Sequence, residues 1–334
     1  MLLVTRDAAT LVVDARYATA ATVLLDGPAG CDELDLVLVE SSFEQTVAAR
    51  LERSRSPEGG RVLGIESMHM TVSQHEWFVR TLAGSVAVKP TTGLVEEGRA
   101  VKDEDELSSL REAGRRISSV MVQALTGLRP GLSERDVAAD IDRSIVEAGF
   151  DRPAFETIVA AGSNTALPHA RPSHRVLESG QLVLLDFGGM LDGYCVDLTR
   201  VATLGSPSDE ATRWHRAVQD AHAAALRAVR PGVSAEDVDS AAREALVAHG
   251  LAEAFSHGTG HGLGIEVHEA PRIGKRREPS DAEAAAPIRA GMVFTVEPGV
   301  YLPSRGGIRL EDDLVVTDTG FELLTNVPLD LRVV

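Results

Sequence analysis

The chain has 334 residues, of which 44% are hydrophobic and 25% are charged, and this ordinary globular composition suffices for two domains with a large core. Its formal net charge is −17 and its one dense basic cluster, residues 275–277, is short, so we expect no nucleic-acid partner and no membrane partner. It contains two cysteines, no segment that approaches a membrane span and no signal-peptide core, which predicts a cytoplasmic protein without a disulfide framework or a thiolate metal site.

Residues 1–94 are predicted to form a small α/β domain, because short apolar segments typical of strands alternate with amphipathic segments at helical spacing. The predicted strands are residues 2–4, 11–13, 36–39, 62–65 and 86–88. Helices are predicted at 43–53 and 72–82, and residues 17–25 fit either a helix or a strand. This region carries no catalytic motif. The charged segment 95–103 follows and is predicted to be a linker.

The rest of the chain contains an internal repeat. After a long helix predicted at 104–125, the sequence Arg-Pro-Gly-Leu-Ser begins at Arg129, and Arg-Pro-Gly-Val-Ser begins at Arg230. Each copy reads as a Pro-Gly turn, a serine N-cap and an amphipathic helix that ends at a glycine, Gly149 or Gly250. The repeat predicts two related α/β halves.

A hairpin with two carboxylates is predicted in the first half. Residues 182–201 form two apolar runs around the turn Asp192-Gly193, and the runs carry Asp186 and Asp197. A carboxylate in an apolar strand costs several kcal/mol unless it is paired or coordinated. Two such acids on adjacent strands indicate a bound cation. Loop capping or pairing with an arginine is the alternative for this stretch taken alone.

The second half contains similar groups. Residues 292–301 and 308–317 are predicted as two further apolar strands, which carry Glu297 and Glu311, and the Gly-rich segment 256–269 contains three histidines. Hard divalent cations prefer carboxylate oxygens, and an imidazole suits Mn, Co or Zn. We therefore predict metal ions between the two halves. The Gly-rich segment lacks G-x-G-x-x-G and a Walker lysine, so nucleotide binding is rejected.

These motifs resemble the metal site of the pita-bread peptidases, which are methionine aminopeptidase, aminopeptidase P and prolidase. The resemblance runs from about Asp103 to the end and rests on L-D-F-G, D-L-T-R, H-G-T-G-H-G-L-G, V-H-E, V-E-P-G and I-R-L-E-D. It implies an α+β protein, in which a pita-bread catalytic domain of two pseudo-symmetric α/β halves, residues 104–334, follows the smaller α/β domain. The N-terminal domain of such relatives usually opens with a further strand–helix unit, so this chain is expected to be truncated at its start.

The resemblance also implies two divalent metal ions, with Mn as the first choice and Co or Zn as alternatives. By motif, Asp186 would bind one metal, His261 and Glu297 the other, and Asp197 and Glu311 both. Metal binding lowers the pKa of a water from about 15.7 toward 7, so the site would provide a nucleophile at neutral pH.

Three residues would carry the catalytic steps by the same resemblance. His268 would hydrogen-bond the scissile carbonyl oxygen as it gains charge. His169 would steady the intermediate or the leaving nitrogen, and Glu297 would pass a proton from water to the leaving amine.

Three more residues would bind substrate or support a ligand. His257 would line the pocket for the residue after the cleaved bond, and Arg309 would support a ligand carboxylate. Arg272 resembles a prolidase arginine that pairs with the free carboxylate of a dipeptide, and an ordinary surface arginine is the equal alternative.

The N-terminal domain and H-G-x-G-H-G favour the proline-directed branch of these peptidases. We therefore predict hydrolysis of the Xaa-Pro bond of dipeptides, longer peptides or both, by a homodimer, with the dipeptidase slightly favoured. Aminopeptidase P and a non-catalytic binding module are the alternatives. A non-catalytic binding module would have lost metal ligands, whereas all five ligand positions here are acidic or histidine.

Overall fold

A computed structural model describes most of the chain, namely residues 1–6, 8–27, 30–31, 33–53, 61–276 and 286–334. The described chain forms two compact units, Met1–Leu94 and Val95–Val334. No described helix is long and apolar enough to cross a membrane. Of the predicted basic cluster, residue 277 lies outside the described residues.

The first unit alternates strands and helices. Its described elements are β1 (Leu2–Val4), β2 (Ala9–Val13), α1 (Ala18–Leu25), β3 (Leu34–Leu38), α2 (Phe43–Arg53), β4 (Arg61–Glu66), α3 (Val72–Thr81) and β5 (Val86–Thr91). One sheet has the order β1-β2-β3, and β4 pairs with β5 in parallel. The segment that fitted either a helix or a strand is helix α1. Val12, Val47, Phe78 and Leu82 form the centre of a small buried core within this unit.

The helices of the second unit are α4 (Leu94–Ala100), α5 (Glu104–Gly127), α6 (Glu134–Glu147), α7 (Asp209–Ala228) and α8 (Ala235–Ala248). Helix α4 occupies most of the segment predicted as a linker. Glu96 and Glu97 in its first turn and Arg99 in its last turn match the helix dipole, which explains why this charged segment is helical.

The strands of the second unit are β6 (Arg152–Pro153), β7 (Ile158–Ala161), β8 (Leu182–Leu191), β9 (Tyr194–Thr203), β10 (Gly260–Gly262), β11 (Glu269–Ile273), β12 (Val293–Val296), β13 (Gly299–Leu302), β14 (Gly306–Arg309), β15 (Asp312–Val316), β16 (Phe321–Leu323) and β17 (Arg332–Val333). One sheet has the order β17-β9-β8-β6, with β7 also paired to β8, a second has the order β11-β10-β12-β15-β16, and β13 and β14 form a third of two strands. The first two sheets meet where the backbone N–H of Glu311 donates to the carbonyl of Thr199 at 3.2 Å.

The predicted repeat is confirmed by equivalent helix ends in the two halves. Ser133 before α6 and Ser234 before α8 each accept a hydrogen bond at 3.1 Å from the N–H of the third helical residue, and each belongs to a capping box. After each helix a glycine, Gly149 or Gly250, has a positive φ of 88° or 68°. The same local chemistry therefore starts and stops a helix in both halves.

Helices cover both faces of the central strands. Along β8, Leu184 belongs to a core with residues of α7 and α8, whereas its neighbour Leu185 belongs to a core with residues of α5 and α6. A strand buried on both faces needs apolar residues at successive positions, which explains the unbroken run before Asp186.

The second hairpin is interrupted, so the prediction of two continuous strands, 292–301 and 308–317, was wrong. Strand β12 pairs with β15, and β13 pairs with β14, whereas Glu297 and Glu311 lie in the breaks between these pairs. Pro298 cannot donate a ladder hydrogen bond and therefore interrupts the strand after Glu297. At these breaks the two carboxylate side chains need not alternate between the two faces of a sheet, as they would in a regular strand.

Helix α5 offers a test of the packing between the helices and the chain end. A Cβ at Gly114 would lie 2.2 Å from the backbone oxygen of Leu324, whereas a Cβ at Gly127 in the same helix has no atom within 4 Å. We expect Gly114→Ala to cost about 1–3 kcal/mol of stability and to lower the melting temperature by several degrees. Gly127→Ala should leave it unchanged or slightly raised. Calorimetry of both variants and the parent measures this, and equal melting temperatures would contradict the close packing at Gly114.

Candidate metal centre

Asp186 and Asp197 project from the same face of the β8–β9 hairpin. Asp186 is paired with Thr199 across the ladder, and Asp197 is paired with Gly188, so the two acids are diagonal neighbours. Both are buried. Gly188 has no side chain to fill the space opposite Asp197, and a Cβ there would lie 1.9 Å from the carbonyl oxygen of Val196.

Three ligand-type residues of the second half converge on these acids. Nε2 of His261, on β10, lies 3.6 Å from Oε1 of Glu297 and 3.9 Å from Oδ2 of Asp197. One ligand atom each from Asp197, His261 and Glu311 lie within 4.8 Å of one another. The two halves therefore bring their acids together, as the repeat predicts.

The buried oxygens lack partners that a cation would supply. Among the described residues, Oδ1 of Asp197 and Oε1 of Glu311 are buried without a hydrogen-bond partner. Burial and the neighbouring carboxylates raise the pKa of both acids well above the ordinary range, and burial raises the pKa of Glu297 to about 8. Burial lowers the pKa of His261 to about 4, so its imidazole is neutral at pH 7. A neutral imidazole beside several carboxylates fits a divalent metal ion.

Of the four carboxylates, Asp186 has a cationic partner, which is the guanidinium of Arg309. This buried guanidinium forms an ion pair with Asp186 and donates to the hydroxyl of Tyr301 at 2.8 Å and of Thr199 at 3.2 Å. The Thr199 hydroxyl donates in turn to Oε2 of Glu311 at 2.5 Å. The arginine and threonine together orient a carboxylate from each half.

A second arginine joins the two halves behind the acids. Arg200 is 2% exposed, forms an ion pair of 2.6 Å with Asp312 and donates to the backbone oxygens of Thr199 and Glu311. These contacts hold the backbone of Glu311, which lies at the break between β14 and β15, next to strand β9. Arg200 thus ties the position of one acid to the other half.

A hydrogen-bonded chain extends from Arg309 to His257. Nδ1 of His257 lies 2.8 Å from the carbonyl oxygen of Gly258 and must donate to it, so Nε2 accepts from the Tyr301 hydroxyl at 2.8 Å. Burial lowers the pKa of His257 to about 4 and raises the pKa of Tyr301 to about 12, so both side chains are neutral at pH 7. This chain fixes the imidazole of His257 at the edge of the metal centre.

The remaining predicted residues surround the same space. The ring centroid of His268 lies 4.2 Å from that of His261, and burial lowers the pKa of His268. Arg272 is the partner of His261 in the β10–β11 ladder, so both side chains leave that ladder on the same side. Nη2 of Arg272 donates to the carbonyl oxygen of Lys275 at 3.1 Å. His169 lies on the wall formed by the segment before β8.

One pocket of about 460 Å³ is lined by all ten site residues that the sequence predicted, which are His169, Asp186, Asp197, His257, His261, His268, Arg272, Glu297, Arg309 and Glu311. Thr199 and Tyr301 were missed. Thr199 stands inside the quoted motif D-L-T-R, and Tyr301 lies two residues after V-E-P-G, but their hydroxyls matter only through contacts made across the fold. A larger groove of about 910 Å³ beside Trp214 contains none of the ten residues, so volume alone does not locate the chemistry.

Comparisons with known proteins identify relatives of both units. The model of metallopeptidase family M24 matches residues 108–318, and that of the creatinase/prolidase N-terminal domain matches residues 1–101. An Xaa-Pro dipeptidase of Pyrococcus horikoshii is 34% identical over 277 residues, which are 82% of this chain and 76% of the relative.

Solved structures are similar over the whole chain. An Xaa-Pro dipeptidase from Bacillus anthracis superposes with a TM-score of 0.91 and 32% identity, over 100% of this chain and 88% of that one. An X-Pro aminopeptidase from Thermotoga maritima superposes with a TM-score of 0.87 and 31% identity, over 100% and 90% of the respective chains. Relatives with similar identity to this chain are thus named either dipeptidases or aminopeptidases.

The raised pKa of Glu297 predicts proton release when metal binds. At pH 7 a carboxyl with a pKa of about 8 is mostly protonated, whereas a metal ligand must be ionised. Binding of Mn²⁺ to metal-free protein should therefore release at least one proton, and affinity should rise about tenfold per pH unit for each proton released as pH rises toward 8. Calorimetric titration in PIPES and in Tris, which differ in their enthalpies of ionisation, measures this release as a buffer-dependent enthalpy. Equal enthalpies in the two buffers would contradict it, and Glu297→Gln should release fewer protons than the parent.

Proposed function

Because the chain belongs to metallopeptidase family M24, we propose that it hydrolyses the Xaa-Pro bond of dipeptides with two divalent metal ions, Mn first and Co or Zn as alternatives. The observation that carries this proposal is the convergence of four carboxylates and one neutral imidazole, from both halves, on one pocket. A non-catalytic binding module would have no use for a complete set of converging ligand groups.

The metal ions would be held by the five predicted ligands. We assign Asp186 to one ion, His261 and Glu297 to the other, and Asp197 and Glu311 to both. The unpartnered oxygens of Asp197 and Glu311 support the shared role, because a carboxylate that binds two ions uses both oxygens. When bound, the ions supply a water of lowered pKa and polarise the scissile carbonyl.

The surrounding side chains would move the protons and stabilise the developing charge. We assign the hydrogen bond to the carbonyl oxygen to His268, which lines the pocket next to His261. Glu297 takes a proton from the attacking water and passes it to the proline nitrogen as the C–N bond breaks. We assign to His169 a hydrogen bond that steadies the intermediate or the leaving nitrogen. His257, held by Tyr301, borders the space for the proline ring.

A dipeptidase is favoured over an aminopeptidase through Arg272. This arginine leaves the sheet on the same side as His261 and lines the pocket, where it can meet the carboxylate of a bound dipeptide. The dipeptidase names of similar relatives point the same way. The similarity to an X-Pro aminopeptidase keeps action on Xaa-Pro-Yaa as the second candidate.

A homodimer and a cytoplasmic location are proposed as well. The first rests on the resemblance to pita-bread peptidases, and the second on the cysteine-poor composition. The choice of Mn over Co or Zn rests on the ligand types, since four carboxylates and one imidazole suit a hard ion.

Removing His268 should separate catalysis from metal binding. His268→Ala is expected to lower kcat by about 100-fold or more without loss of bound metal, because its contact with the carbonyl oxygen strengthens in the transition state. Steady-state kinetics with elemental analysis of the same samples measures both. His174→Ala is the matched control, since His174 is exposed and contacts Arg135 outside the pocket. Parallel loss of metal and activity would make His268 a ligand or structural residue instead.

Arg272 should decide between the two substrate classes. Arg272→Ala should weaken hydrolysis of Xaa-Pro about 10- to 150-fold, because a charge-assisted contact worth roughly 1.5–3 kcal/mol is lost. Hydrolysis of the amidated Xaa-Pro-NH2, which has no carboxylate, should hardly change. Arg276→Ala is the control, since that arginine lies nearby but pairs with Glu236.

The wild-type enzyme is assayed in the same experiment on Xaa-Pro, Xaa-Pro-Yaa and Xaa-Ala with added Mn, Co or Zn. Xaa-Pro should be hydrolysed fastest and Xaa-Ala slowest. Faster turnover of Xaa-Pro-Yaa than of Xaa-Pro would reverse the choice in favour of the aminopeptidase. Equal turnover of Xaa-Ala would contradict a proline-directed enzyme.

A further inference from the structure

Glu134 is a fully buried carboxylate that the proposed chemistry does not use. It is the first residue of α6, directly after the N-cap Ser133, and its exposed fraction is 0%. A buried charge costs free energy unless hydrogen bonds replace its lost hydration. The partners that replace it therefore indicate what the residue does.

All four hydrogen bonds to this carboxylate come from one loop. Oε1 accepts from the backbone N–H of Ala161 and from Nδ2 of Asn164, both at 2.8 Å. Oε2 accepts from the backbone N–H of Ser173 at 3.0 Å and from its hydroxyl at 2.6 Å. These four donors fill the acceptor sites of an ionised carboxylate. The N-terminal end of α6 adds favourable electrostatics.

The donors lie on both sides of His169. Ala161 and Asn164 precede it and Ser173 follows it, so one carboxylate joins the two ends of the loop 161–173. A further tie lies near the middle of the loop, where Nη1 of Arg309 donates to the carbonyl of Pro168 at 3.3 Å. Within the loop the backbone N–H of Gly307 also donates to the hydroxyl of Thr165 at 2.8 Å, and Arg171 pairs with Glu156 at 3.4 Å. The place of His169 on the pocket wall therefore depends on the base of the loop together with these contacts.

The second half holds its histidine segment in a similar way. Asp239 of α8 is fully buried and accepts from the backbone N–H and the hydroxyl of Thr259, at 3.1 and 2.8 Å. Arg243, bound to Asp239, donates to the backbone oxygen of His257. Thr259 precedes His261 by two residues. In each half a buried acid on the same kind of helix thus holds the segment that carries histidines to the pocket.

We propose that Glu134 is a positioning residue, whose carboxylate fixes the base of the loop 161–173 so that His169 points at the reacting bond. This inference rests on the proposed function, in which His169 steadies the intermediate or the leaving nitrogen. A displacement of about 1 Å in a group that must meet a reacting atom can cost about 100-fold in rate. A carboxylate that accepts four hydrogen bonds at the base of the loop limits such displacement.

The test keeps the size of the side chain and changes its hydrogen bonding. In Glu134→Gln one oxygen becomes an NH₂ donor, so the backbone N–H of either Ala161 or Ser173 loses its acceptor. We expect kcat on an Xaa-Pro dipeptide to fall about 10- to 100-fold at unchanged metal content. Glu147→Gln, at the exposed end of the same helix, is the control and should behave as wild type.

A double-mutant cycle separates positioning from general stability. If Glu134 acts through His169, adding Glu134→Gln to His169→Ala should lower kcat by less than twofold further. The same fold-loss in both backgrounds would overturn the proposal, because the effect would then not pass through His169. If Glu134→Gln does not fold, Ser173→Ala is a milder second variant. It removes one hydroxyl, which donates to Glu134 and accepts from the backbone N–H of Arg175 at 3.1 Å. It should show a smaller loss that likewise disappears with His169→Ala.

Hydrogen exchange gives a readout that does not depend on turnover. Amide exchange in peptides covering residues 158–175 should be faster in Glu134→Gln than in wild type, with little change elsewhere in the second unit. Unchanged exchange there would overturn the proposal. If the wild-type enzyme does not cleave Xaa-Pro dipeptides, the proposed function fails, and the exchange result still decides whether Glu134 holds the loop.

Discussion

The mutual repulsion of buried carboxylates is the constraint on which the second unit depends. Asp186, Asp197, Glu297 and Glu311 line one pocket, where burial removes their hydration and proximity makes their charges repel. Arg309 offsets the charge of Asp186, and Thr199 offers Glu311 one hydrogen bond. Buried oxygens of Asp197 and Glu311 still lack a partner among the described residues. A divalent cation resolves this conflict, which is why the same groups that cost stability can serve a metallopeptidase.

The duplicated architecture holds these unfavourable neighbours in place. The first half contributes two acids on a continuous hairpin, and the second half contributes two acids at the breaks of an interrupted one. The sheets join where Glu311 meets Thr199. Arg200 reinforces the junction from behind through backbone contacts on both sides. Helices on both faces supply the apolar burial that offsets the cost of the polar centre. Apolar packing elsewhere in the same unit thus offsets the unfavourable free energy of the site.

The predicted pita-bread fold is confirmed by the solved relatives, and the helix ends of the two halves are those that the repeat indicates. One error arose where an apolar segment that looks continuous in the sequence is interrupted in the structure. Residues 292–301 look like one strand, yet Pro298 interrupts the ladder and places Glu297 outside it. The charged segment after residue 94, predicted as a linker, contains the short helix α4, whose charges suit the helix dipole.

The sequence by itself determined the alternating strands and helices of the first unit, the helices α5, α6 and α8, the two related halves and the identity of the ligand-type residues. These follow from local signals: apolar periodicity, serine caps, Pro-Gly turns, and acids in apolar runs. Only the tertiary structure decided which groups meet. The pairing of Arg309 with Asp186, the hydroxyls of Thr199 and Tyr301, and the four donors of Glu134 all join residues distant in sequence. A hydrogen bond depends on distances of about 3 Å and on direction, and these are set by the packing of whole elements.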